Sequence, residues 1–247
     1  MRIISTVPSI TELLHDLGLG DQVVGITKFC VHPKKWYRSK MRIGGTKTLD
    51  LEKIVSLSPD LIIANKEENV CEQIEALQNH TEVYVSDIKS PHDNITLIRE
   101  IGKLTGTRMS AIRLEGELQS ALDNIVVLPQ KLSSTYVIWQ KPYMTVGNDT
   151  YIHSMMSLCG LANRFADQTR YPEFSMGELR QKKPDVVLLS SEPFPFAIKH
   201  KEFFQSELPD SVIRLADGET FSWYGTRLIK RIDYLNELMR DLSRATA

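Results

Sequence analysis

The sequence predicts an α/β protein of two similar lobes joined by one long backbone helix, with a ligand cleft between the lobes. Three observations carry this. Residues 49–64 (LDLEKIVSLSPDLIIA) and 174–189 (FSMGELRQKKPDVVLL) repeat one pattern at an offset of 125: an amphipathic helix, Pro-Asp, then an apolar run. The flanks repeat in the same order. PSITELLHDLGLGDQVVG precedes the first copy and NDTYIHSMMSLCGLANRFAD the second, each a helix ending in a Gly-Leu turn, while VYVSD and VIRLAD follow. Between the copies, Ala111, Leu114, Leu118, Leu122 and Ile125 recur at three- and four-residue spacing. That periodicity predicts one helix of about 18–20 residues from Thr107 or Ser110 to Pro129. Repeated β-α-β units make both lobes Rossmann-like, and ligands favour clefts and the carboxyl ends of parallel strands.

Taken in order, residues 2–6 form a short apolar strand, and Pro8-Ser9 opens a helix in which Ser9 and Glu12 fit a capping box. Residues 22–26 form the next strand. A long loop, 27–48, is rich in Lys, Arg, Trp and Gly. Helix 51–57 and strand 61–64 complete the first repeat, followed by helix 70–78 and strand 82–86. The second lobe starts near Thr135, and a closing helix spans 226–242. The predicted boundaries are 1–106 for the first lobe, 107–128 for the connecting helix and 129–247 for the second lobe.

At 247 residues the chain has ample length for two lobes with cores of their own. A net charge of −1 gives no reason to expect nucleic acid. No apolar run approaches the ~18 residues that span a bilayer. Cys30, Cys71 and Cys159 form no CxxC pair or disulfide framework, and free thiols are expected. No basic and apolar leader precedes the first strand; the protein is expected to be periplasmic if a signal has been removed and cytoplasmic if Met1 is the native start. GxSxG, Walker A, HExxH and strand-borne GxGxxG patterns are absent, so the chain reads as a binder and not an enzyme.

Two repeated lobes on a helical backbone resemble the class III periplasmic binding proteins of ABC importers, which carry cobalamin, ferric siderophores, haem and some bare metal ions. VPSITELLHDLGLGDQVVGIT, GGTKTLDLEKIVSLSPDLIIA and the second Pro-Asp strand carry the likeness over nearly the whole chain. SSEPFPF and DGETFSWYGTRL are similar to segments of a cobalamin-binding-like subgroup. The resemblance implies capture of a metal chelate (a cobalamin-like corrinoid, or a ferric siderophore or haem) and delivery to an ABC permease by a monomer without intrinsic cofactor. The alternative is a cytoplasmic protein of the same fold that handles or modifies a metal-containing cofactor.

Candidate ligand-binding residues lie in loops after the strands. Pro8 and Ser9 start a helix whose free N–H groups suit an anionic or amide oxygen. Lys28, Phe29, Cys30 and His32 form a loop that the resemblance places over the cleft mouth. Cys30-x-His32 has two of the donors a metal site needs, but nothing completes one; a half-buried Cys30 and a neutral His32 are expected, with no metal site. The aromatics Trp139 with Tyr143, Phe194 with Phe196, and Phe221 with Trp223 and Tyr224 suit a large flat cargo, although one group is expected in the core. Lys66 follows the first repeat strand, and Arg227 either bonds the ligand or pairs with Asp217. In the family, one acid on each lobe meets the permease, which the resemblance assigns here to Glu67 or Glu68 and to Glu192 or Glu202.

Overall fold

The structure, a computed structural model, describes residues 1–246. The first lobe comprises Met1–Ile88, His92–Gln119 and Tyr224–Arg227; the second comprises Lys89–Pro91, Ser120–Trp223 and the chain from Leu228 onward. In order, the elements reaching the connecting helix are β1 (Ile3–Ser5), α1 (Pro8–Asp16), β2 (Val23–Ile26), α2 (Lys34–Ser39), β3 (Met41–Arg42), α3 (Leu51–Ser56), β4 (Leu61–Asn65), α4 (Cys71–Gln78), β5 (Glu82–Ser86), α5 (Asp93–Leu104) and α6 (Arg108–Asp123). The strands form one parallel sheet in the order β3-β2-β1-β4-β5.

Beyond α6 follow β6 (Leu132–Val137), β7 (Tyr143–Met144), α7 (Tyr151–Leu158), β8 (Leu161–Asn163), β9 (Glu173–Phe174), α8 (Met176–Lys182), β10 (Val186–Ser190), α9 (Ile198–Glu207), β11 (Val212–Ala216), α10 (Gly218–Ser222) and α11 (Arg227–Ala245). Here the parallel sheet runs β11-β10-β6-β8, with β7 and β9 as a separate antiparallel ribbon. Strands β2, β1, β4 and β5 therefore stand in the same spatial order as β8, β6, β10 and β11, and β3 is an extra edge strand.

The duplication extends into the cores. Leu49, Ile54, Ile62 and Ala64 are buried together in the first lobe. Phe174, Leu179, Val187 and Leu189, each 125 positions later, are buried together in the second. The Pro-Asp strands β4 and β10 are buried at every residue, as parallel strands covered on both faces must be. The helix-ending turns match as well: Gly18 and Gly160 have φ of +86° and +84°, a left-handed cap that glycine adopts without a Cβ penalty.

The structure departs from the sequence-based expectations at four places. The 27–48 segment contains α2 and β3, a helix of six residues and a two-residue strand without a counterpart in the second sheet. Helix α5 was not anticipated. Helix α6 has 16 residues and ends before Ile125, whose burial needs no helix. The capping box does not form either. Pro8 occupies the first turn of α1 behind Val7, which offers no side-chain acceptor, and Pro is favoured there because its missing N–H has no helical partner to lose. No helix among the described residues is long and apolar enough to cross a membrane.

Glu12 is instead a core residue. Its carboxylate lies 3.0 Å from Nε of Arg227, with both side chains less than a tenth exposed. The four residues Tyr224–Arg227 are all buried in the first lobe, where Gly225 N–H donates to Asn94 Oδ1 at 2.9 Å and the Thr226 hydroxyl donates to Asp16. Removing one member of a buried ion pair leaves an uncompensated charge. Glu12→Ala is expected to cost about 3–5 kcal/mol in urea unfolding; an unchanged midpoint would mean that the pair does not hold this segment in place.

Candidate functional site

Parallel strands deliver all their carboxyl ends to one edge of each sheet, and the candidate residues lie along these two edges. In the first lobe two buried asparagine amides organise the edge. Asn65 ends β4; its Oδ1 accepts the N–H groups of Glu67 at 2.8 Å and Glu68 at 3.2 Å, and its Nδ2 donates to the Ser86 carbonyl at 3.1 Å. Asn69 Oδ1 accepts from Asn65 N–H at 2.9 Å and from the Thr6 hydroxyl at 2.8 Å, while its Nδ2 donates to the Thr46 carbonyl at 3.0 Å. The segments that follow β1, β3 and β4 and the end of β5 are thereby tied together. Sequence reasoning missed both asparagines, although an Asn ending an apolar run is a recognisable turn signal.

This network presents Lys66, exposed and 3.0 Å from Asp87, with Glu67 and Glu68, both half-buried. Burial pushes the Glu68 carboxyl above its ordinary value, with Glu67 adding to the rise and Lys47 opposing it. At the neighbouring strand end Phe29 is 50 % exposed with the Lys28 ammonium 5.1 Å from its ring centre. Pro8 and His32 are half-buried and Ser9 is buried. Cys30 was expected half-buried but is fully enclosed, its sulfur 3.0 Å from Thr11 Oγ1 and 3.1 Å from Thr27 Oγ1. Burial raises its thiol pKa more than these hydroxyls lower it. The loop thus presents Phe29 outward and keeps Cys30 in the core.

In the second lobe Ser190 takes the place of Asn65. Its hydroxyl donates to the Glu192 carbonyl and accepts from Glu192 N–H at 3.3 Å and the Tyr136 hydroxyl at 3.2 Å. Glu192 Oε1 accepts from the Ser222 hydroxyl and from Trp223 Nε1, each at 2.9 Å. Glycine is required opposite: a Cβ on Gly218 would stand 2.4 Å from Glu192 Cγ and 2.6 Å from Ser190 Oγ. Asp217 pairs with Arg231, and Arg227 pairs with Glu12 in place of the expected Asp217. Glu202 is exposed on α9.

The aromatics divide sharply. Phe221 is buried against Tyr136 at 5.1 Å, Phe196 is buried in the main cluster, and Tyr143 packs on Phe174 and Phe204 at 5.6 and 5.3 Å. Trp223 and Tyr224 are buried too. Trp139, 39 % exposed, and Phe194, partly buried, remain at the edge as an edge-to-face pair with ring centres 5.9 Å apart. They follow β6 and β10, adjacent strands of the sheet.

One arrangement has the outline of a nucleophile and base: Ser157 Oγ lies 3.5 Å from His153 Nε2, with Asn163 at Nδ1. Asn163 Oδ1 accepts Phe165 N–H, so its Nδ2 faces the imidazole and donates. In the neutral ring that bond places the proton on Nε2, the wrong tautomer for abstracting a proton from serine. Burial lowers the His153 pKa further, which favours that neutral form. Among the described residues no group of three or more His, Cys, Asp or Glu is placed to hold a metal ion.

Asn65→Ala is expected to cost about 1–3 kcal/mol by leaving buried N–H groups unmet, and to speed hydrogen exchange at the Glu67 and Glu68 amides. Protection unchanged at those two amides would remove Asn65 from its organising role. At pH 8 the thiol reagent DTNB is expected to modify Cys71 first, since Cys30 and Cys159 are buried and burial holds their pKa values up, that of Cys159 at about 12. Cys71 should itself lag a small-molecule thiol, because the adjacent Glu75 raises its pKa and so lowers its thiolate fraction. Rapid modification of all three would contradict this core.

The comparisons with known proteins follow the same outline. The curated relatives include an uncharacterized ABC transporter substrate-binding lipoprotein, YvrC, of Bacillus subtilis, 26 % identical over 96 % of this chain and 79 % of its own. Among solved structures, the periplasmic vitamin B12 binding protein BtuF of Vibrio cholerae superposes with a TM-score of 0.84 at 25 % identity, covering 98 % of each chain. The periplasmic heme-binding protein RhuT from Roseiflexus sp. RS-1 shares the fold with a TM-score of 0.83 at 19 % identity, covering 100 % of this chain and 99 % of its own. The family model described as periplasmic binding protein matches residues 3–214, and the chain belongs to that family.

Proposed function

We propose that the protein is the substrate-binding component of an ABC-type importer and captures a metal chelate, either a cobalamin-like corrinoid or an iron chelate such as haem or a ferric siderophore. Trp139, exposed and in ring contact with the partly buried Phe194, carries this proposal. Both follow adjacent strands at the carboxyl edge of the sheet, where ligands of such sheets bind, and Trp139 keeps 39 % of its surface exposed there. A macrocycle offers broad apolar faces that aromatic rings cover well. The names of the B12- and haem-binding relatives support the cargo class, and that of the lipoprotein relative supports an ABC partner. In the first lobe, Phe29 and Lys28 form an exposed apolar and cationic edge. The protein works as a monomer outside the cytoplasmic membrane and carries no intrinsic cofactor. Glu67 and Glu202 serve as the permease-docking acids, since the Glu192 carboxylate is engaged by Ser222 and Trp223.

The test is a visible-absorbance titration with cyanocobalamin, haemin and a ferric catecholate, followed in parallel by thermal shift. One cargo is expected to saturate and to stabilise the protein by RT ln(1 + [L]/Kd). Trp139→Ala and Phe194→Ala should each weaken it about tenfold or more, as loss of buried aromatic area requires; the Tm of the free protein should be nearly unchanged for Trp139→Ala and lower for Phe194→Ala, which also loses packing on Phe196. Failure of all three cargoes to bind would overturn the metal-chelate assignment.

A further inference from the structure

The segment between Asp21 and Asp50 contains seven Lys and Arg residues and no Asp or Glu, in a chain whose overall charge is −1. The structure shows what these cations do. Lys40 donates to the Gly20 carbonyl, Arg42 donates to the Lys40 carbonyl at 2.6 Å, and Lys47 donates to the Glu67 carbonyl at 2.6 Å. Lys34, Lys35 and Arg38 are exposed on α2 and enter no ion pair among the described residues. The helix is held by Trp36, which is buried edge-on against His15 at 5.2 Å with the Lys40 ammonium 5.4 Å from its ring.

At about 100° per residue, Lys34, Lys35, Tyr37 and Arg38 occupy the arc opposite Trp36. Exposed apolar groups lie among the cations: Tyr37 is 41 % exposed with the Arg42 guanidinium 4.4 Å from its ring, and Met41 on edge strand β3 is 47 % exposed. Cations alone suit any polyanion. Cations interspersed with unburied apolar side chains match the interface of an anionic bilayer, where ammonium and guanidinium groups meet headgroup phosphates and apolar tips enter the acyl boundary.

We propose that the outward face of α2, with Tyr37 and Met41, is a docking surface for an anionic lipid membrane. The surface is independent of the cargo assignment, because none of its residues belongs to the candidate cargo edges. Cosedimentation with vesicles of equimolar phosphatidylglycerol and phosphatidylcholine, against phosphatidylcholine alone, tests it. Binding is expected only to the anionic vesicles and to fall as salt rises. The charge reversal Lys34→Glu/Lys35→Glu/Arg38→Glu should lower partitioning on the order of a hundredfold or more. Tyr37→Ser/Met41→Ser should lower it several-fold while leaving binding to soluble heparin unchanged. Circular dichroism verifies folding, and if the triple variant does not fold, Lys35→Gln and Arg38→Gln are expected to show several-fold losses singly. Equal binding to both vesicle types, no binding to either, or insensitivity to the charge changes would overturn the proposal. Heparin binding as tight as vesicle binding, with Tyr37→Ser/Met41→Ser indistinguishable from wild type on vesicles, would also overturn it in favour of an acidic macromolecule.

Discussion

Where a parallel sheet ends, the backbone N–H and C=O groups just beyond it lose their ladder partners, and a buried one left unmet costs about 1–3 kcal/mol. In the first lobe the amides of Asn65 and Asn69 meet that demand, and the shape of the candidate edge follows from them. An amide can accept and donate at once, so one side chain closes the turn after its own strand and reaches the strand beside it. The second lobe solves the same problem with hydroxyls. Ser190 closes the turn and Tyr136 reaches across from the neighbouring strand. Different chemistry at corresponding positions thus preserves one geometry, and each turn fixes an acidic loop.

The aromatic residues show how the second lobe divides its resources. Of the seven candidate aromatics beyond α6, Phe196, Phe221, Trp223 and Tyr224 are buried, Tyr143 and Phe194 are partly buried and packed on the core, and Trp139 is exposed at the edge. Glu192 completes this division. By accepting from Trp223 and Ser222 it holds the 217–223 segment against the turn after β10, and only a glycine at 218 lets the two backbones come so close. The same carboxylate that looked like a surface acid is a structural acceptor. Affinity for a flat cargo would then depend on a small exposed area supported by a large rigid one.

The two-lobe plan was legible because duplication leaves a long-range mark that needs no partner knowledge: Leu49, Ile54, Ile62 and Ala64 have equivalents 125 residues on, and all eight are core residues. The α2–β3 segment carries no such mark, because β3 has no counterpart in the second sheet, and its sequence reads as loop. Which aromatic lies inside could not be deduced from type, since Phe194 and Phe196 differ in burial at two residues' separation. The Ser9–Glu12 capping box failed for a related reason. Local pattern made Glu12 a cap, while a residue 215 positions away claimed its carboxylate. The asparagine turns leave a weaker signal, because Asn after an apolar run reads first as a simple strand terminator.

That long reach has a consequence for biosynthesis. Glu12 leaves the ribosome 215 residues ahead of Arg227. At roughly 5–20 residues per second, the carboxylate waits on the order of ten to forty seconds for its counter-charge. A carboxylate without a partner resists dehydration, so the surroundings of Glu12 are expected to stay wet until Arg227 has been made. The amino-terminal lobe is therefore finished by the carboxyl-terminal part of the chain, and a nascent or truncated protein ending before Tyr224 would present a wet, unclosed surface to whatever inspects folding in the cell.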